Sequence, residues 1–378
     1  MPKRHFGMKK QLLYTAIILA VFFLLAELAA RTLLSVQLGS RIFLYGTPAY
    51  RSDEQSVVVR YGTEYSSFEG YEKYFPRQSV VGTDCINDGT FDIEINSSGF
   101  RGEDLPLSKP SGVKRIVMLG ASSTFGFCDR DDDTYPQQLE RMLEGSPDKF
   151  EVINLGIPHL TSGQITSLFF NEALAYDPDI VTFYEGHNDT HALKDEPREL
   201  TSKLPVLRDA LDLAGRYSVI FLRVSSLLDE APKGFTAEFL YGPAETASLQ
   251  LLKNIEQIYA ECERRGIAFI VATQQMQSLM LDREELAGVS YSEEVERVEG
   301  KLAREGELTH REFGFLAHDI FMKDLVAWAE TNSVPLVDVI GALDDRRDTL
   351  MSPVHINAEG NEIVARAFFD KVVELTAR

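Results

Sequence analysis

From residue 113 onward the chain alternates short apolar runs with longer helix-forming stretches, and this rhythm restricts its fold more than any other feature. The first run, Val113-Lys114-Arg115-Ile116-Val117-Met118-Leu119, is closed by Gly120 and has the pattern of a buried strand. Phe150-Glu151-Val152-Ile153-Asn154, Ile180-Val181-Thr182-Phe183-Tyr184, Ala268-Phe269-Ile270-Val271-Ala272 and Val334-Pro335-Leu336-Val337-Asp338 read the same way. Helices are predicted between and after them, over residues 135–145, 161–175, 246–265, 316–331 and 358–376. Strands that alternate with helices imply a parallel sheet covered on both faces. Such sheets bind ligands beyond the carboxyl ends of their strands. Ser122, His159, Asn188 and His355 all follow predicted strand ends, so they are the candidate site residues.

Their chemistry starts at Gly120-Ala121-Ser122-Ser123-Thr124, which sets a serine on a glycine-containing turn between strand and helix. A hydroxyl held there faces solvent. His355, in Val354-His355-Ile356-Asn357, can supply the base that makes such a serine a nucleophile, because a triad is defined by geometry and role, not chain order. The expected activity is that of a serine hydrolase. Plainer readings stand beside it: Ser122 as a helix N-cap, His355 as a structural or capping histidine, and Asn188-Asp189 as turn formers.

The four segments Gly120-Ala121-Ser122-Ser123-Thr124, Asn154-Leu155-Gly156-Ile157-Pro158-His159, Gly186-His187-Asn188-Asp189 and Val354-His355-Ile356-Asn357 together resemble the SGNH (GDSL-type) hydrolase family. Gly120-Ala121-Ser122 stands where that family has Gly-Asp-Ser, and Thr124 and Gly126 also match. Gly186-His187-Asn188-Asp189 matches its Gly-x-Asn-Asp block, and His355 followed by Asn357 and Gly360 matches the last block. The resemblance covers residues 113–378, and Asn96-Ser97-Ser98-Gly99-Phe100-Arg101-Gly102 is similar to the lead-in of membrane-anchored members. It implies a flavodoxin-like three-layer α/β/α fold with a parallel five-stranded sheet, and an esterase with Ser122 as nucleophile and His355 as base. It further implies an oxyanion hole from the Asn188 amide and the backbone N–H groups of Ser122 and His159. One such donor is worth roughly 10²–10³ in rate. Two positions depart from the family. Ser352 stands where an aspartate usually precedes the histidine by three, so Asp344, Asp345, Asp348 or a backbone carbonyl has to orient the ring. His159 stands where a glycine is usual, and a packing or substrate-contact role is open to it as well.

Three other functions remain open. His159, His187, His191 and His355, with Asp189, can be read as a metal cluster for metal-assisted hydrolysis. The same cleft can hold a sugar or lipid headgroup without turnover, or pass an acyl group to a sugar hydroxyl instead of water. The serine mechanism itself calls for no cofactor and no metal.

Lys3, Arg4, Lys9 and Lys10 precede an uncharged stretch from Gln11 to Ala26. Basic residues before an apolar segment predict a cytoplasmic tail over 1–10 and a translocated body. Apolar character continues to Val36, and Glu27 and Leu28 break up any small-x-small cleavage pair. Residues 11–36 therefore read as a transmembrane signal-anchor, with a cleaved peptide as the alternative. Residues 1–36 hold five Lys/Arg and one acidic residue, so the remainder carries -24 of the total formal charge of -20. That argues against nucleic acid as a partner, so none is expected, and against loose adhesion to anionic lipid. The expected partners are the membrane, through the anchor, and a small-molecule, glycan or lipid ester.

Residues 37–112 read as an irregular lead-in, with alternating stretches at Val57-Val58-Val59-Arg60 and Phe91-Asp92-Ile93-Glu94-Ile95. The hydrolase-like domain is expected over 113–378. It is interrupted by insertions at 191–244, with amphipathic pieces at 204–213 and 219–228, and at an acidic, helix-prone 276–315. Either insertion can shape the substrate pocket or simply pack on the core. No C-x-x-C spacing joins Cys85, Cys128 and Cys262. Cys262 is expected to be a buried free thiol, whereas Cys85 and Cys128 can pair in an oxidising compartment or stand apart.

Overall fold

An apolar run without polar alternation is stable as a strand only when both of its faces are buried, and the runs from residue 113 become such strands. The computed structural model describes residues 8–38, 56–59, 69–83, 85, 90–194, 214, 218–221 and 234–377. Helix α1 (Met8–Leu38) comes first, followed by the short strands β1 (Ser56–Val59), β2 (Tyr71–Tyr74), β3 (Ser79–Thr83) and β4 (Thr90–Glu94). The main sheet is formed by β5 (Val113–Gly120), β6 (Lys149–Gly156), β7 (Ile180–Tyr184), β8 (Ala268–Ala272) and β9 (Leu336–Val337). They pair in the order β6-β5-β7-β8-β9, all parallel. This is the flavodoxin-like order, whose topological switch point lies between β5 and β7.

Successive residues of each strand enter opposite layers. Ile116 and Met118 of β5, Ile180 and Tyr184 of β7, and Ile270 of β8 pack with Tyr135 and Leu139 of α3 (Tyr135–Leu143), with Val339 and Leu343 of α10 (Val339–Leu343) and with Val364 and Phe368 of α11 (Ala358–Thr376). Val117, Leu119, Val181, Phe183 and Val271 face the other way. There they meet Leu168 of α4 (Ser162–Asn171), Ile255 of α6 (Ala237–Arg265) and Phe321 of α9 (His310–Asn332). The result is the expected three-layer α/β/α arrangement.

Some boundaries differ from the sequence reading. β9 is two residues long, and α4 stops at Asn171 before a 3₁₀ turn at Ala173–Tyr176. α6 starts at Ala237, not near 246, and runs through Pro243. Its entry is fixed by a bridge in which Phe235 and Leu308 exchange both backbone hydrogen bonds. α9 starts at His310, where Thr309 and Glu312 form a capping box. Similar boxes at Asp282/Glu285 and Ser290/Glu293 open α7 (Arg283–Leu286) and α8 (Tyr291–Glu305) within the second insertion. The alternating stretches of the lead-in are β1 and β4. In the first insertion, α5 (Thr190–Lys194) and Val219–Phe221 are helical, while 204–213 and most of 219–228 lie outside the described residues.

The chain divides into two compact units, Met1–Ser56 with Pro197–Lys233, and Val57–Glu196 with Gly234–Arg378. In the first, α1 is the one described helix long and apolar enough to cross a membrane, over residues 10–33. Its Glu27 is buried. The Glu27 carboxylate accepts from Ser218 Oγ at 2.8 Å, Val219 N at 2.9 Å and Ile220 N at 3.2 Å, and from Arg31 one turn on at 2.8 Å. Phe23 meets Phe221 at 5.6 Å between ring centroids. In the second unit the lead-in packs on the α/β body. Cys85 and Cys128 form a disulfide, and Cys262 is buried and free.

Candidate active site

The turn that carries Ser122 owes its shape to two glycines. A Cβ on Gly120, the last residue of β5, would lie 1.9 Å from Thr124 Oγ1 and 2.7 Å from the Tyr184 carbonyl. One on Gly156, the last residue of β6, would lie 2.2 Å from Phe125 N. Only without those side chains can α2 (Ser122–Phe125) settle between the ends of the strands. Asn154 ties the arrangement by donating from Nδ2 to the Thr124 carbonyl at 2.9 Å while accepting from Gly156 N.

Ser122 Oγ lies 2.8 Å from His355 Nε2, across 233 residues of sequence. The other ring nitrogen, Nδ1, lies 2.7 Å from Ser352 Oγ, which also accepts the His355 backbone N–H at 3.2 Å. For Nε2 to accept from Ser122, Nδ1 has to carry the proton and donate it to Ser352. The residue in the place of the family's aspartate therefore orients the ring itself. None of Asp344, Asp345 or Asp348 does so: Asp344 accepts from Tyr291 N, and Asp348 pairs with Arg346. The turn around His355 is held by Met351 N on the His355 carbonyl and by Gln277, which donates from its backbone to Pro353 O and from its side chain to Ser352 O. Burial of the imidazole, with His159 nearby as a second cause, lowers its pKa to about 4, so the ring is neutral at ordinary pH.

His159 adopts a backbone conformation that favours glycine. Its φ is +70°, in the left-handed region, and its side chain is exposed. Asn188 holds that turn, donating from Nδ2 to the Leu160 carbonyl at 2.9 Å, which leaves its second amide hydrogen for another acceptor. Below Asn188 the Glu185 carboxyl accepts the Asn188 N–H, and full burial pushes its pKa up to about 8. Asp189, the last member of the Gly-x-Asn-Asp block, is engaged with α4. It accepts from the backbone and hydroxyl of Ser162 at the start of α4, and burial raises its pKa to about 6.

The structure thus brings Ser122, His355 and His159 to one place and sets Asn188 on the same turn system. Sequence reasoning missed the parts that join them. Ser123 donates to the Val354 carbonyl and accepts from Gln274, whose Oε1 takes the His187 N–H, so one buried amide links the serine, histidine and asparagine segments. Arg101, buried in the lead-in, donates to the carbonyls of Phe125, Gly126 and Asp129 just past Ser122. Its place in Asn96-Ser97-Ser98-Gly99-Phe100-Arg101-Gly102 was the only sequence signal. The His187 and His191 rings meet edge to face, with centroids 5.0 Å apart and planes at 74°. Among the described residues no group of three or more His, Cys, Asp or Glu side chains is placed to hold a metal.

A comparison with curated protein sequences finds no match. Among solved structures there are matches at low identity. A member of the lipolytic protein G-D-S-L family from Veillonella parvula is 12% identical, with 70% of this chain and 99% of that one covered, at a TM-score of 0.40. A GDSL-like lipase from Bacteroides thetaiotaomicron is 13% identical, with 70% and 89% covered, at 0.39. The lipase/acylhydrolase from Enterococcus faecalis is 15% identical, with 69% and 96% covered, at 0.39. The model of the GDSL-like Lipase/Acylhydrolase family matches residues 118–363, which include every candidate residue. On that match, the chain belongs to the GDSL-like lipase/acylhydrolase family of hydrolases.

Proposed function

We propose that the chain is a serine esterase, anchored by α1 in a membrane with its α/β body on the extracytoplasmic side. The observation that carries this reading is the hydrogen-bonded line Ser122 Oγ, His355 Nε2 and Nδ1, Ser352 Oγ, at 2.8 and 2.7 Å. Ser122 attacks the ester carbonyl while His355 takes its proton, then returns it to the leaving alcohol. Water repeats the sequence to release the acid. The oxyanion is met by the Ser122 backbone N–H, by the Asn188 amide hydrogen not used on Leu160, and by the backbone of the His159 turn. Ser352 fixes the tautomer but brings no negative charge to the imidazolium. This fits the low pKa of His355. The substrate class is a carboxylic ester, with O-acyl groups of an envelope polysaccharide or lipid favoured by the position of an anchored body.

The test is fluorophosphonate labelling of the full-length chain in detergent, read by intact mass beside Ser122→Ala and His355→Ala. One adduct on the parent, absent from both variants, is the expected outcome. A folded parent that takes up no label would sink the serine mechanism and favour a cleft that binds without turnover.

A further inference from the structure

Phe127 is an aromatic ring 41% exposed beside the candidate site. It lies against the His355 imidazole, with centroids 5.3 Å apart and planes 26° from parallel. Its loop is tied on every side. The Phe127 N–H donates to the Ser122 carbonyl, and Arg101 grips the carbonyls of Phe125, Gly126 and Asp129. The Asp129 carboxylate accepts from Asn361 Nδ2, and the neighbouring Cys128 is bonded to Cys85. So many restraints hold in one position a ring that contributes little to the core.

In ester cleavage the imidazole that takes the serine proton returns it to the leaving oxygen, so the alcohol must come next to Nε2. A ring stacked on that imidazole borders the alcohol. Resting on the serine-esterase reading, we propose that Phe127 is the wall of the alcohol subsite. We further infer that this subsite takes esters whose alcohol presents an extended C–H face, such as a saturated ring, and that Cys85–Cys128 tethers the wall. Flat apolar contact of this kind is what an exposed, rigid aromatic supplies.

The experiment compares ethyl acetate with cyclohexyl acetate on the full-length chain in detergent, so that the acyl group is constant and only the alcohol differs. Phe127→Ala is expected to lower the cyclohexyl-over-ethyl ratio of kcat/KM about fivefold to tenfold, through KM, as one aromatic contact would. Phe127→Trp, which restores a ring, keeps the preference. Cys85→Ser/Cys128→Ser loses it in the manner of Phe127→Ala, with thermal unfolding showing that the body is intact. An unchanged ratio in Phe127→Ala overturns the proposal. So does an equal loss on both esters together with slower fluorophosphonate labelling, which would mean that the ring only props the imidazole. A Cys pair variant with full preference overturns the tether. Failure of the parent to label is a separate result that strikes the esterase reading instead.

Discussion

The Ser352–His355 pair sets a neutral hydroxyl where a carboxylate would otherwise sit, and the effect falls on the proton affinity of the base. A carboxylate near an imidazole favours its charged form and typically raises its pKa by about 1–3 units. Among the described residues His355 has no such partner, and burial lowers its pKa to about 4. On the proposed serine mechanism His355 works as a base only when neutral, so activity should persist in mild acid and fall as pH drops through that value. In Ser352→Asp the acid limb of kcat/KM should move up by about 1–3 pH units. In Ser352→Ala the limb should stay in place, with kcat down by up to about tenfold for one lost hydrogen bond. A pH–rate profile of the three proteins checks both. The meeting of Ser122 and His355 was legible in the sequence because a serine and an imidazole are the residue types that the proposed chemistry needs. The role of Ser352 was not, because a serine three residues before a histidine is common, and only the fold of the Leu350–Ile356 turn aims its hydroxyl at Nδ1. His159 was half legible: its departure from glycine was visible, but its positive φ was not.

Among the elements, α2 is a single turn whose position depends on the glycine ends of β5 and β6. Gly156→Ala would set a Cβ 2.2 Å from Phe125 N and 2.6 Å from Thr124 C, against backbone that cannot swing aside as a side chain would. Such overpacking typically costs about 1–3 kcal/mol. We expect a lower Tm and a labelling rate down by about tenfold, since shifting α2 misplaces Ser122 relative to His355. Melting curves and labelling kinetics on the same sample check this. The strands of the sheet were legible because their burial on both faces leaves continuous apolar runs. The start of α6 was hidden by Gly242-Pro243, which in isolation breaks a helix. The Phe235–Leu308 bridge that fixes its entry joins residues 73 positions apart. The second insertion was legible as helical from composition, and its capping boxes mark where each helix begins.

For the molecule as a whole, the formal charge of -24 beyond residue 36 makes electrostatic adhesion to an anionic bilayer unfavourable. Membrane retention, if α1 spans, should therefore resist both high salt and alkaline carbonate. The full-length chain should stay in the pellet through both washes with residues 1–36 intact by mass. Release by carbonate, or a mass lacking the first segment, would contradict the anchor. Glu27 adds a matter of timing. Its partners at Ser218 and Val219 lie 191 and 192 residues further along the chain. At roughly 5–20 residues per second of synthesis, they arrive some 10–40 s after it. Throughout that interval Arg31, one turn away, is the near partner available to a carboxylate on an otherwise apolar helix. The packing around Glu27 is therefore completed late, and a ribosome stalled before residue 218 would leave the carboxylate on α1 with Arg31 alone.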